Sequence, residues 1–257
     1  MPKSNEKFLV GLVDKTVLEA IEADSLNPVF MDLQACNAIE IRYDFFKPSE
    51  WPELSSRVRK VAPHAMQIGT IRLKRDGGQF PDAQAVARPA LWKEILDVAE
   101  IPEWLDLERD CLAQFAELKK LAAARGTRIL VSEHNFVRIP NDMELKTLVD
   151  DLRRVKADGL KIAAMSNSAT DCDRLYKFIK KYSKYFELFG AFGMGETGRI
   201  SRLWSLKEGA NLTYAAIDSV QAPGQIDVMT SRKALDKFEI IYSQADLCDF
   251  LTKYRQF

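Results

Sequence analysis

Lys161 and His134 are the residues of this chain whose types and settings best suit nucleophilic and acid–base chemistry. Lys161 stands in Gly159-Leu160-Lys161-Ile162-Ala163-Ala164-Met165, where every neighbour is small or apolar. Lysine is seldom fully buried without a partner. It can snorkel from a strand end with its head in water, or sit in a dry pocket as an amine nucleophile. His134 ends the apolar run that begins at Arg128, and an imidazole can take a proton near neutral pH and give it back. A lysine beside such a base is a Schiff-base pair. The amine attacks a ketone, the iminium draws electrons, and the adjacent carbon loses its proton to the histidine. Arg42, Arg72 and Arg202 also fall near strand ends. They would hold a carboxylated or hydroxylated substrate by charge-assisted hydrogen bonds and stand as the charged neighbours of the lysine.

The elements that would position these side chains alternate along the whole sequence. Apolar, β-branched runs fall at 8–13, 38–44, 67–72, 104–108, 128–134, 159–165, 188–194 and 212–218. Helical periodicity separates them, at about 16–23, 52–61, 82–100, 111–125, 142–156, 171–184 and from 199, with two closing helices near 231–238 and 244–254. Eight strands alternating with helices predict a single (β/α)8 TIM barrel over residues 1–257, with chemistry at the C-terminal strand ends. An open doubly wound sheet is the alternative, and no strand is followed by Gly-x-Gly-x-x-Gly to favour it. In the second strand, Glu40, Arg42 and Asp44 share one face by alternation. On the inside of a barrel that face is a polar site.

Composition narrows the function classes. Basic and acidic residues number 37 each, so no charge excess favours nucleic acid or an anionic membrane. No apolar run approaches a membrane span, and the first residues lack a signal-peptide core. A cytoplasmic protein is expected. The four cysteines, Cys36, Cys111, Cys172 and Cys248, are far apart, and His64 and His134 are the only histidines. Neither a disulfide framework nor a zinc site is expected, and imine chemistry needs no metal or other cofactor. Cys172 reads as a packing residue, His64 as a surface histidine, and Trp92, Trp104 and Trp204 as core or interface.

Six segments in order carry a family resemblance: Glu40-Ile41-Arg42-Tyr43-Asp44, Arg72-Leu73-Lys74-Arg75-Asp76-Gly77-Gly78, Ser132-Glu133-His134-Asn135-Phe136, Lys161-Ile162-Ala163, Gly198-Arg199-Ile200-Ser201-Arg202-Leu203 and Ala222-Pro223-Gly224-Gln225. Together they resemble the type I 3-dehydroquinate dehydratases. The resemblance implies a homodimeric barrel of the shikimate pathway that dehydrates 3-dehydroquinate to 3-dehydroshikimate through a lysine imine. Lys161 would be the Schiff-base lysine and His134 the general acid–base, with Asp76 helping to orient the histidine. Arg202 would hold the substrate carboxylate. Glu40, Arg42, Arg72, Gln221 and Gln225 would bind the rest of the substrate, and Met194 would line the pocket. The turn at Pro223-Gly224-Gln225 would close as a lid.

Three positions depart from the family pattern. Asp76 stands where glutamate is usual, Gln221 where serine is usual, and Gly11 where a first-strand serine is usual. These changes would reshape the substrate site while leaving the lysine–histidine pair intact. They keep open a related imine-forming lyase or class I aldolase with a shifted substrate. A non-catalytic ligand-binding relative need not retain both Lys161 and His134.

Overall fold

A computed structural model describes residues 6–218 and 222–253. Eight strands form one sheet: β1 (Phe8–Val13), β2 (Ala38–Arg42), β3 (Met66–Thr70), β4 (Trp104–Glu108), β5 (Arg128–Asn135), β6 (Gly159–Met165), β7 (Leu188–Met194) and β8 (Leu212–Ala215). Neighbours are parallel in the order β7-β6-β5-β4-β3-β2-β1-β8. With helices between successive strands, this is the expected (β/α)8 barrel.

The last gap, between β7 and β8, closes through Asn211. Its backbone N–H donates to the Phe189 carbonyl at 2.9 Å, and its side-chain Oδ1 accepts from the Phe189 N–H at 2.7 Å. Gly190 lets the two strands approach, since a Cβ there would lie 2.9 Å from the Leu212 carbonyl oxygen.

Alternation along each strand divides the apolar residues into two cores. Leu9, Ile39, Ile41, Leu105, Leu107, Val131, Ile162 and Phe189 face outward and pack against the helices. Val10, Ala38, Ile68, Trp104, Leu130, Leu188 and Leu212 face inward and fill the barrel. These inward residues come from the N-terminal halves of their strands, so they make an apolar floor below the mouth.

Several helices differ from expectation. Residues 82–100 are not one helix. A 3-10 segment (Asp82–Ala87) leads into an α-helix (Arg88–Leu96) that starts around Pro89, where proline's missing N–H is tolerated. Residues 111–125 likewise divide into a 3-10 segment (Arg109–Gln114) and an α-helix (Phe115–Ala124). Pro28–Ala35 is a helix that periodicity did not reveal, capped by Asn27 and opened by Pro28. The eighth strand stops at Ala215, short of the expected Asp218. No helix among the described residues is long and apolar enough to cross a membrane.

Candidate active site

The third residues of β2, β4, β6 and β8 are Glu40, Asp106, Lys161 and Tyr214. Alternate strands of a (β/α)8 barrel supply the four side chains of one interior layer, and these four meet. The Lys161 ammonium donates to Asp106 Oδ2 at 2.9 Å, Glu40 Oε2 at 3.3 Å and the Tyr214 hydroxyl at 3.3 Å. An ammonium has three protons to donate, and each has an acceptor here. The nitrogen also lies 4.4 Å from the Tyr214 ring centre. The lysine does not snorkel: it is 4% exposed. Its immediate charged neighbours are carboxylates, where sequence reading placed arginines.

Arg72 ties this layer to the mouth. It donates to Asp106 Oδ2 at 2.7 Å and Glu108 Oε1 at 3.1 Å, and the buried Arg88 pairs with the other Glu108 oxygen. Burial pushes the Asp106 carboxyl up, but the Arg72 and Lys161 charges lead a set of opposing effects that together outweigh it and hold the carboxyl well below the usual carboxylate range.

His134 points into the same cavity one inward step higher. Ser132, not His134, is the register partner of Lys161, while His134 stands opposite Ala163. The pair is therefore diagonal rather than directly abreast. Burial, then the positive charges of Arg72 and Lys161, lower the His134 pKa well below its ordinary value. The imidazole is neutral near pH 7, as a proton acceptor must be. Its Nδ1 is buried and has no hydrogen-bond partner among the described residues.

Asp76 lines the cavity from the loop after β3, and it also borders a polar cleft beside His134. The hydrogen bond to Nδ1 that would orient the histidine is not made. Burial and the Glu108 carboxylate push the Asp76 pKa up to about 6.

The arginines divide by what occupies them. Arg42 grips Asp44 with two hydrogen bonds, of 2.9 and 2.7 Å, and stacks on Phe45. Arg202, 2% exposed, has no carboxylate partner among the described residues. One Nη donates to the Pro223 carbonyl at 3.0 Å, its Nε is unpartnered, and its guanidinium lies 4.9 Å from the Phe192 ring centre. Burial lowers its pKa to about 10, which still leaves it charged at neutral pH. A buried cation without a counter-ion is a receptor for an anionic group.

Met194 and Gln225 complete the wall, and the cavity measures about 420 Å³. The turn carrying Gln225 lies against the short helix Gly195–Gly198 that follows β7. Gly195 N–H donates to the Pro223 carbonyl at 3.1 Å. Gly224 has φ +74°, and a Cβ there would fall 2.3 Å from the Gly195 oxygen. Gln221 lies outside the described residues.

Gly11 does not border the site. A Cβ on it would meet Ile217 Cδ1 at 2.4 Å and Cys36 Sγ at 2.7 Å, in the outer core. Its neighbour Leu12 faces the cavity, so a side chain absent at position 11 cannot reshape the pocket. Sequence reasoning missed Asp106, Glu108 and Tyr214. The first two alternate with Leu105 and Leu107 as Glu40 and Arg42 alternate with Ile39 and Ile41, a signal that was available.

The barrel thus brings a buried lysine, a neutral histidine and an arginine with no carboxylate partner among the described residues to one cavity, the arrangement of an enzyme active site. The comparisons with known proteins name the family. A model of type I 3-dehydroquinase matches residues 17–242. A 3-dehydroquinate dehydratase of Coxiella burnetii is 30% identical over 214 residues, spanning 81% of this chain and 85% of that protein. One from Enterococcus faecalis is 27% identical over 92% of this chain and 94% of that protein. In fold, the 3-dehydroquinate dehydratase of Geobacillus kaustophilus superimposes with a TM-score of 0.77 at 22% identity, covering 93% of each chain. The chain belongs to the type I 3-dehydroquinase family.

Proposed function

We propose that the protein dehydrates 3-dehydroquinate to 3-dehydroshikimate through an imine on Lys161. The observation that carries this reading is the convergence on one cavity of Lys161, His134 and Arg202, a buried arginine with no carboxylate partner among the described residues. Arg202 receives the substrate carboxylate, which sets the ketone toward the barrel floor where Lys161 waits. The lysine sheds a proton, its nitrogen attacks the ketone carbon, and water leaves as the iminium forms. His134, neutral in this setting, takes the C2 proton, and the electron pair moves into the iminium to give an enamine. The enamine then expels the C1 hydroxyl, which leaves as water with the proton from His134. Water hydrolyses the conjugated iminium, freeing the enone product and Lys161.

Glu40 and Arg72 hold the lysine layer together, while Arg42, Gln225 and Met194 bound the substrate. Asp76 borders the cleft beside His134 without a hydrogen bond to its Nδ1. The same reading expects a cytoplasmic homodimer of one barrel per chain, for which light scattering should give about twice 29.2 kDa.

Incubation with 3-dehydroquinate should generate enone absorbance, and borohydride should leave a mass adduct on Lys161. His134→Ala should still be trapped while losing turnover. A folded wild-type protein that neither turns over nor is trapped overturns the reading. Trapping by other ketones, with no turnover of 3-dehydroquinate, would instead favour an imine lyase with a shifted substrate. Asp76 and Gln221 are the positions that motivate that second reading.

A further inference from the structure

We propose that Tyr214 is the proton donor of the imine-forming step, delivering hydrogen to the substrate oxygen as Lys161 attacks. This rests on the imine reading above and assigns a group within it. Of the three partners of the Lys161 nitrogen, Asp106 and Glu40 are carboxylates, which when ionised only accept hydrogen bonds. Only the Tyr214 hydroxyl can also donate. In the resting state it accepts from the ammonium at 3.3 Å.

One ammonium proton passes to a carboxylate of the layer. The freed nitrogen pair forms the C–N bond, and the carbonyl π pair moves to oxygen. That oxygen develops negative charge next to the nitrogen, within the neighbourhood of the phenol. Tyr214 donates its proton there and is reprotonated from the carboxylate. The carbinolamine oxygen takes a second proton, from nitrogen through the same hydroxyl, and leaves as water. Ammonium and ketone thus become iminium and water, with no other reactant.

The setting keeps the phenol ready to donate. Burial, then the Glu40 and Asp106 charges, hold its pKa well above the ordinary value, so it stays protonated. Its ring is fixed against Phe192, with centres 6.0 Å apart. Phe192 in turn carries Arg202 on its face. The donor to the ketone oxygen and the receptor for the carboxylate are thus mounted on one aromatic pair.

Tyr214→Phe keeps the ring and removes the hydroxyl. Rapid mixing of wild type and variant with 3-dehydroquinate, quenched in borohydride, gives the rate of Lys161 adduct formation by mass. The expected result is a rate lower by about tenfold or more, the scale of one hydrogen bond to a developing charge. KM should rise toward the dissociation constant of the non-covalent complex. The isotope effect of C2-deuterated substrate on kcat should shrink, because imine formation then limits turnover more than proton abstraction. Adduct formation at the wild-type rate overturns the proposal while leaving the imine reading intact; failure to trap the wild type overturns that reading instead. Should Tyr214→Phe not fold, fluorotyrosine at position 214 replaces it, and an adduct rate insensitive to phenol acidity overturns the proposal.

Discussion

Asp106→Asn tests the charge balance on which the site depends. Among the described residues the buried layer around Lys161 holds three acids, Glu40, Asp106 and Glu108, and three bases, Arg72, Arg88 and Lys161, each no more than 5% exposed. Asp106 Oδ2 touches two of those bases, at 2.7 Å from Arg72 and 2.9 Å from Lys161. Removing its charge while keeping its shape leaves one uncompensated positive charge where water does not reach. Breaking a buried pair from one side costs about 3–5 kcal/mol. At about 2–4 °C per kcal/mol for a domain of this size, the melting temperature should fall by about 6–20 °C. Urea unfolding at pH 7 measures the free energy directly. Adding Lys161→Met restores the balance, with two acids facing two bases, so the double variant should recover at least about 1.5 kcal/mol relative to additivity. If Asp106→Asn lies within about 1 kcal/mol of wild type, or if the two changes simply add, the layer is not held by compensation and the reasoning fails.

Two further outcomes follow from the same geometry. Arg202→Leu should raise KM roughly 10- to 100-fold, the scale of charge-assisted hydrogen bonds to a carboxylate. Its melting temperature should not fall by the margin expected for Asp106→Asn, because no buried carboxylate loses its partner. Asp76→Asn should change stability in a pH-dependent way. The folded carboxyl titrates at about 6 against an ordinary 3.8, so the native state holds that proton more tightly than the unfolded chain. Wild-type stability therefore drops as pH rises through about 4 to 6, and the variant should escape that drop. It should exceed wild type above pH 6 and match it below pH 4. The side chain is partly exposed, which limits the gain to about 1 kcal/mol; parallel unfolding curves from pH 4 to 8 would show a constant difference if the shift were absent.

The barrel was legible because both of its periodicities are strong. Strands such as Arg128–Asn135 carry unbroken apolar stretches, and Asp142–Arg154 keeps Leu145, Leu148 and Leu152 at helical spacing. The misreadings have local causes. Apolar residues at helical spacing continue across Pro89, so periodicity alone joined two elements. Pro28–Ala35 is short and apolar on most sides, so it shows little contrast between faces, although its Asn-Pro start marks a helix N-terminus.

At the site, the lysine and histidine could be found from residue type, while their surroundings required the phase of each strand. Gly11 and Leu12 are adjacent, yet one meets Cys36 and the other the cavity. A motif alignment that is right about the segment can still assign the wrong side of the sheet, because one residue reverses the face. Asp106 shows the converse. Acids alternating with leucines in Trp104–Glu108 read as a solvated strand face while β4 is considered alone. Once the strands close, the alternate-strand rule places the third residue of β4 level with the third residues of β2, β6 and β8. Applied to the sequence, that rule alone would have put two carboxylates and a phenol around Lys161. The arginine-rich surroundings inferred from strand ends belong one step nearer the mouth, where Arg72 reaches back toward the layer and Arg202 faces the cavity with no counter-ion among the described residues. The proposed chemistry rests on this stacking: the lysine is held as a satisfied ammonium on the floor, and Arg202 stands above it with no carboxylate partner among the described residues.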